Sequence, residues 1–191
     1  MAETVGLLIA AGAGSRMGTP KALVVGTDDI PWVVSSARTL VAGGCTETVV
    51  VIGAAADEVR ELLVDEPVAV VEAADWESGM GSSLRAGLET LADSAADAVL
   101  VHLVDLPDVG PDVVARLIAH TEPGVLARAS YGEGSGHPVL IGRDHWAGVA
   151  AVATGDRGAR DYLARHHVLD VDCSDLATGL DIDDVRSMLG K

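Results

Sequence analysis

The sequence predicts an α/β fold with a mostly parallel central sheet and helices on both faces. Three observations predict it. Over about the first 120 residues, short apolar runs alternate with longer segments of helical spacing, the pattern of repeated strand–helix units. The short runs are apolar throughout rather than alternating with polar residues, as in strands covered on both sides. The first of them stops at a glycine-rich loop, at the strand end where an open α/β sheet places its ligands.

The elements follow in order. Residues 5–10 form the first apolar run, and 30–41 carry helical spacing through Val33, Ala37, Leu40 and Val41 until Gly43-Gly44 closes it. Residues 48–52 are a β-branched strand and 57–63 a helix. Residues 67–71 make a third strand, 82–91 a third helix, 98–104 a fourth strand and 112–120 a fourth helix. The second half is less regular. Residues 125–131 and 137–141 read as strands around a loop over 132–136, and 145–152 and 157–166 read as helices. A late strand over 168–173 and a short helix over 184–189 end the chain. No low-complexity linker or internal repeat divides it, so residues 1–191 are expected to form one domain.

Composition narrows the function. Thirteen basic residues against 29 acidic ones give a formal charge of −16, a field that repels duplex nucleic acid and anionic membranes. A small anion can still bind where cations are gathered. Cys45 and Cys173 stand far apart without C-x-x-C spacing, which suits free thiols in a reducing compartment. The start, Met1-Ala2-Glu3-Thr4, is acidic where a signal peptide would be basic, and no apolar run approaches the roughly 20 residues of a membrane helix. A cytoplasmic protein is expected.

The first strand runs into Ala10-Ala11-Gly12-Ala13-Gly14-Ser15-Arg16-Met17-Gly18-Thr19-Pro20-Lys21. G-x-x-x-x-G-K-[ST] cannot be laid on it, and Gly12, Gly14 and Gly18 are one residue too widely spaced for a dinucleotide fingerprint. What remains is a flexible loop whose backbone N–H groups can cradle an anion, carrying two cations five residues apart. Lys21 is one of only two lysines, beside eleven arginines, which suits a compact point charge aimed at a phosphate. A plain strand-to-helix turn with two surface cations fits the same residues.

Leu8-Ile9-Ala10-Ala11-Gly12-x-Gly14-x-Arg16-Met17-Gly18-x-Pro20-Lys21 resembles the signature loop of the MobA-like nucleotidyltransferases, and most of all that of the molybdenum-cofactor cytidylyltransferases. Ala-Ala-Gly, with proline before the lysine, is closer to the cytidylyl members than to the guanylyl ones, which show Ala-Gly-Gly and an aspartate there. The resemblance implies a Rossmann-like three-layer fold. It also implies that Ala10, Ala11, Gly12, Gly14 and Ser15 wrap a nucleoside triphosphate, with Arg16 and Lys21 neutralising it.

Later segments extend the resemblance in the family's order. Ser82 or Ser83 can N-cap the third helix on residue type alone; a similar Gly-x-x-x-Ser-Leu-Arg-x-Gly-Leu stretch in the family implies that Gly79, Ser82 and Ser83 contact ribose or base. Asp105 reads alone as a turn former before Pro107, and the family's Asp-x-Pro motif makes it a metal carboxylate; Asp108 is expected to cap the next helix. His137 before Pro138 is a turn or packed histidine by itself, and resembles a Gly-His-Pro motif that positions the acceptor. The remaining histidines, His102, His120, His145, His166 and His167, read as structural or exposed. Residues 155–160 read equally as a capped helix with solvated arginines and as the family's helix start near the acceptor. Leu180-Asp181-Ile182-Asp183 resembles a late Asp-Ile-Asp motif at the metal, but the usual Thr-Pro-x-Asp continuation is missing, leaving open which of Asp181 and Asp183 approaches it.

The implied reaction joins CMP from CTP to the terminal phosphate of a molybdopterin-type acceptor with release of pyrophosphate, assisted by Mg²⁺ or Mn²⁺. Arg16, Lys21 and Asp105 would carry it, and a molybdoenzyme or its maturation chaperone would be the downstream protein partner. The alternatives are a nucleotidyltransferase of the same fold acting on another phosphorylated small molecule (guanylyl transfer from GTP to molybdopterin, a sugar phosphate, phospholactate) and a non-catalytic nucleotide- or cofactor-binding module. A nicotinamide dehydrogenase would need the tighter glycine spacing.

Overall fold

The computed structural model describes residues 2–182; the expected closing helix, Asp183 and the last lysine lie outside them. Seven strands form one sheet: β1 (Thr4–Ile9), β2 (Glu47–Ile52), β3 (Ala69–Glu72), β4 (Ala98–Leu103), β5 (Leu126–Tyr131), β6 (Gly134–Gly142) and β7 (Leu169–Asp172). Their order is β3-β2-β1-β4-β6-β5-β7, and only β6 runs antiparallel to its neighbours. The chain winds outward from β1 through β2 to β3, then returns to lay β4 on the other side of β1. The strand order therefore reverses between β1 and β4, and their carboxyl ends lie side by side.

Successive residues of each strand feed opposite layers. Leu8, Leu100 and Leu140 pack with α1 (Trp32–Ala42) and α4 (Pro111–Ile118), where Trp32, Val33, Leu40, Val113 and Leu117 meet them. Leu7, Val99 and Ile141 face the other way, toward α3 (Met80–Thr90) and α5 (Arg143–Val152), against Leu84, Leu88, Trp146 and Val149. Both faces of β1 and β4 are thus buried, which is why these strands are apolar throughout. Leu100 is fully buried at the centre, so Leu100→Ala is expected to lower unfolding free energy by about 2–5 kcal/mol in urea titrations.

Several boundaries differ from the sequence expectation. β6 begins at Gly134 instead of residue 137, because Gly134 and Ser135 pair with Tyr131 and Ser130 although glycine and serine carry no apolar signal. The helix expected over 157–166 is only α6 (Arg160–Leu163); a 3₁₀ turn over Gly155–Arg157 precedes it, and Gly158 at φ 52° cannot continue a helix. The helix α3 starts at Met80 with Gly79 as N-cap, so Ser82 and Ser83 sit inside its first turns and cap nothing. Asp108 does not cap α4, whose N-cap is Gly110; its carboxylate accepts hydrogen bonds from the Thr178 N–H and hydroxyl at 2.7 and 2.5 Å. The short α2 (Ala56–Leu62) completes the elements. Both cysteines are free and buried, and no described helix is long and apolar enough to cross a membrane.

Candidate active site

The loop after β1 is folded on itself by a tight turn in which the Met17 and Gly18 N–H groups donate to the Gly14 carbonyl at 2.8 and 2.9 Å. Gly14 has φ 60°, and a Cβ placed on it would lie 1.9 Å from the Thr19 carbonyl oxygen. Gly14→Ala must therefore open the turn as well as bear left-handed strain of about 1–2 kcal/mol. We expect it to weaken binding of inorganic tripolyphosphate by about tenfold or more in calorimetric titrations.

Lys21 begins a 3₁₀ turn over Lys21–Leu23, anchored by the fully buried Ala22. This fixes the lysine stem beside the end of β4, where its Nζ donates to Asp105 Oδ2 at 2.7 Å, with both side chains 17% exposed. The other carboxylate oxygen, Oδ1, is buried without a hydrogen-bond partner. The Asp105 carbonyl accepts from the Ile182 N–H at 3.0 Å, so the late Asp-Ile segment docks on the same strand end, with Asp181 exposed beside it.

Two main cavities adjoin at this end of the sheet, and the pair lines the smaller. The smaller, 360 Å³, is lined by Gly12, Gly14 and Ser15 of the loop, by Lys21 and Asp105, and by Trp76, Gly79 and Ser83. A shallow hollow of 250 Å³ lies on the loop's outer side, between Arg16 and Lys21. The larger cavity, 710 Å³, has an apolar floor of Val101, Val139, Ile141 and Leu163 and a rim bearing His137, Arg128, Arg157 and Arg160. Ile9 and Met80 line both main cavities, so the two adjoin.

Most sequence-predicted residues gather here. Ala10 and Ala11 are instead buried beneath the loop: the Ala10 N–H donates to Val51 and the Ala11 carbonyl accepts from Ala54. Ser82 is turned away, its hydroxyl donating to the Asp75 and Gly79 carbonyls at 2.7 and 2.8 Å. His137 lies at the larger cavity, its carbonyl held by the Tyr131 hydroxyl at 2.8 Å. Burial pushes its pKa down to about 4, against the attraction of Asp105 and with help from Arg160, so the ring is neutral in the ligand-free site. Of the segment 155–160, Arg157, Gly158, Ala159 and Arg160 line the larger cavity and Asp156 the smaller. Sequence reading missed Arg128, whose strand position carries no motif, and assigned no site role to Trp76, His166 and His167, which the fold brings to the cavity walls.

No group of three or more His, Cys, Asp or Glu among the described residues forms a metal cage. A divalent ion that takes one or two carboxylates and completes its shell with phosphate and water oxygens needs no cage. The bare Oδ1 of Asp105 fits such an ion.

A family model described as the MobA-like NTP transferase domain matches residues 6–171. The chain belongs to this family. Among curated proteins, nicotine blue oxidoreductase of Paenarthrobacter nicotinovorans is 39% identical over 201 residues, covering 96% of this chain and 93% of that protein. The solved structure of Rv0371c from Mycobacterium tuberculosis H37Rv superposes with a TM-score of 0.84 at 28% identity, covering 98% of this chain and 97% of the other. The same mycobacterial protein has been solved in complex with manganese (TM-score 0.79, 25% identity, 98% of each chain). A nucleotidyl transferase from Methanothermobacter shares the MobA-like fold, with a TM-score of 0.82 at 21% identity over 98% of this chain and 94% of its own.

Proposed function

We propose that the chain is a cytoplasmic, single-domain nucleotidyltransferase that moves CMP from CTP onto the terminal phosphate of a molybdopterin-type acceptor. One observation carries this reading: the Lys21–Asp105 pair stands at the sheet's switch point, in the wall of a glycine-loop cavity that adjoins a larger cavity bordered by arginines. The triphosphate lies along Gly12, Gly14 and Ser15, with Arg16 and Lys21 neutralising it, while Gly79 and Ser83 border the nucleoside. The acceptor enters the larger cavity, where neutral His137 orients it by hydrogen bonding. Arg128 and Arg157 are already paired with Asp170 and Asp161 at 2.6 and 3.0 Å, which leaves Arg160 to draw its phosphate in.

A phosphate oxygen of the acceptor attacks the α-phosphorus of CTP, the bond to the bridging oxygen breaks, and pyrophosphate leaves. That oxygen is already anionic, so the protein's work is to hold two anions together and disperse the charge of the leaving group. Mg²⁺ or Mn²⁺ held by Asp105, with Asp181 on the segment docked at the same strand end, would supply charge neutralisation between the phosphates. Pyrophosphate release on mixing CTP, Mg²⁺ and a molybdopterin acceptor tests the reading. Release with CTP well above GTP, ATP and UTP is the expected result; none with any nucleotide over a broad acceptor panel would remove it.

The 39% identity to a protein named nicotine blue oxidoreductase favours a second reading, reduction of a pigment on the same scaffold. The larger cavity, with its apolar wall of Val101, Val139, Ile141 and Leu163, is where such a substrate would sit. Reduction of nicotine blue by the chain with an added electron donor, without pyrophosphate release, would select it.

A further inference from the structure

The Lys21–Asp105 contact uses only half of the carboxylate. Nζ sits 2.7 Å from Oδ2, while Oδ1 is buried and accepts nothing. A desolvated carboxylate oxygen without a donor is costly, so leaving it bare suits a group that receives its partner on binding a ligand. Lys21 is also placed to leave. The residue lines the cavity that contains Asp105 and, with Gly14, Ser15 and Arg16, the outer hollow that does not, so a swing of its flexible stem would carry the ammonium from one to the other.

We propose that Lys21 is a displaceable counterion, which holds Asp105 against divalent cations until a polyphosphate draws the ammonium away. The inference rests on reading the glycine loop as a polyphosphate cradle. A doubly charged ion arriving at Oδ1 meets an ammonium already seated on Oδ2, and in partly desolvated surroundings that repulsion is several times stronger than in bulk water. Once the ammonium follows the phosphates, the full carboxylate charge faces the ion. Cation and polyphosphate then bind with positive coupling, and the coupling is reciprocal. The arrangement also accounts for lysine in a chain whose other described cations are all arginine. An ammonium takes one oxygen and swings on a flexible stem, whereas a guanidinium would fork across both oxygens and shut the site.

The test is Mn²⁺ binding to the whole chain without any phosphate, read from loss of the free-ion electron paramagnetic resonance signal. Lys21→Met is expected to bind Mn²⁺ about tenfold more tightly than wild type. Lys21→Arg is expected to bind no better than wild type, and Lys21→Met combined with Asp105→Asn to lose the gain. Thermal unfolding checks that each variant is folded, and Lys21→Gln repeats the measurement should methionine prevent folding. Equal or weaker binding by the uncharged variants, a gain shared by Lys21→Arg, or a gain that survives Asp105→Asn would each overturn the proposal. None of these outcomes involves nucleotide or acceptor, so they are distinguishable from a failure of the transferase reading in the pyrophosphate assay.

Discussion

Turnover is expected to fall by about two to three orders of magnitude when Lys21 is replaced by alanine, the usual cost of removing one fixed donor from a developing charge. The lysine is held where two needs meet. Its 3₁₀ turn is anchored in the core through Ala22, and its ammonium lies against Asp105 at the end of the adjacent strand. Alanine leaves the Ala22 anchor of the turn in place, so the loss should appear in kcat/KM for pyrophosphate release, with thermal unfolding confirming that the variant is folded. A variant that keeps near-full turnover would take Lys21 out of the chemistry. The same position answers oppositely in the absence of nucleotide, where an uncharged side chain should improve cation binding.

Acid should destabilise the fold through two histidines. His102 is fully buried on β4 with neither ring nitrogen hydrogen-bonded, and burial, reinforced by the nearby His137 ring, pushes its pKa down to about 3. In the unfolded chain the same ring takes its proton near pH 6.5. Between those values the unfolded state binds more protons, so the contribution to stability is intact above pH 6.5 and shrinks as pH falls. For His102 the loss amounts to about 2 kcal/mol by pH 5; His137, also pushed down by burial, acts in the same direction. Carboxylates titrate in this range too, and the His102→Leu variant separates them. From pH 7 to pH 5 its unfolding free energy should rise by about 2 kcal/mol relative to wild type, read from urea titrations at both values. Parallel losses in the two proteins would show that His102 does not titrate as described.

The strands that became the centre of the sheet were readable because burial on both faces leaves no room for polar alternation: β1, β2 and β4 lie within a residue of their expected bounds. β6 was clipped because its first residues pair through backbone alone. The glycine loop could be found by its composition, but the meeting of Lys21 with Asp105 could not. These residues are 84 apart in sequence, and only the return of the chain to the far side of β1 makes them neighbours. Residue chemistry by itself left Asp105 a turn former, and family resemblance raised it to a metal carboxylate. Trp76 and Arg128 follow no motif; they reach the cavities because a turn after β3 ends at one and the middle of β5, beside its register shift, borders the other.

The chain has three tryptophans and no phenylalanine, and the fold distributes the three among separate compartments. Trp32 is sealed in the layer with α1, Trp146 in the layer with α5, and Trp76 lines the smaller cavity. Single-tryptophan versions would therefore make the molecule its own fluorimeter. One emission spectrum would follow the melting of each layer, and Trp76, packed at the edge of the α5 layer, would in the folded chain dim or shift when something occupies the cavity.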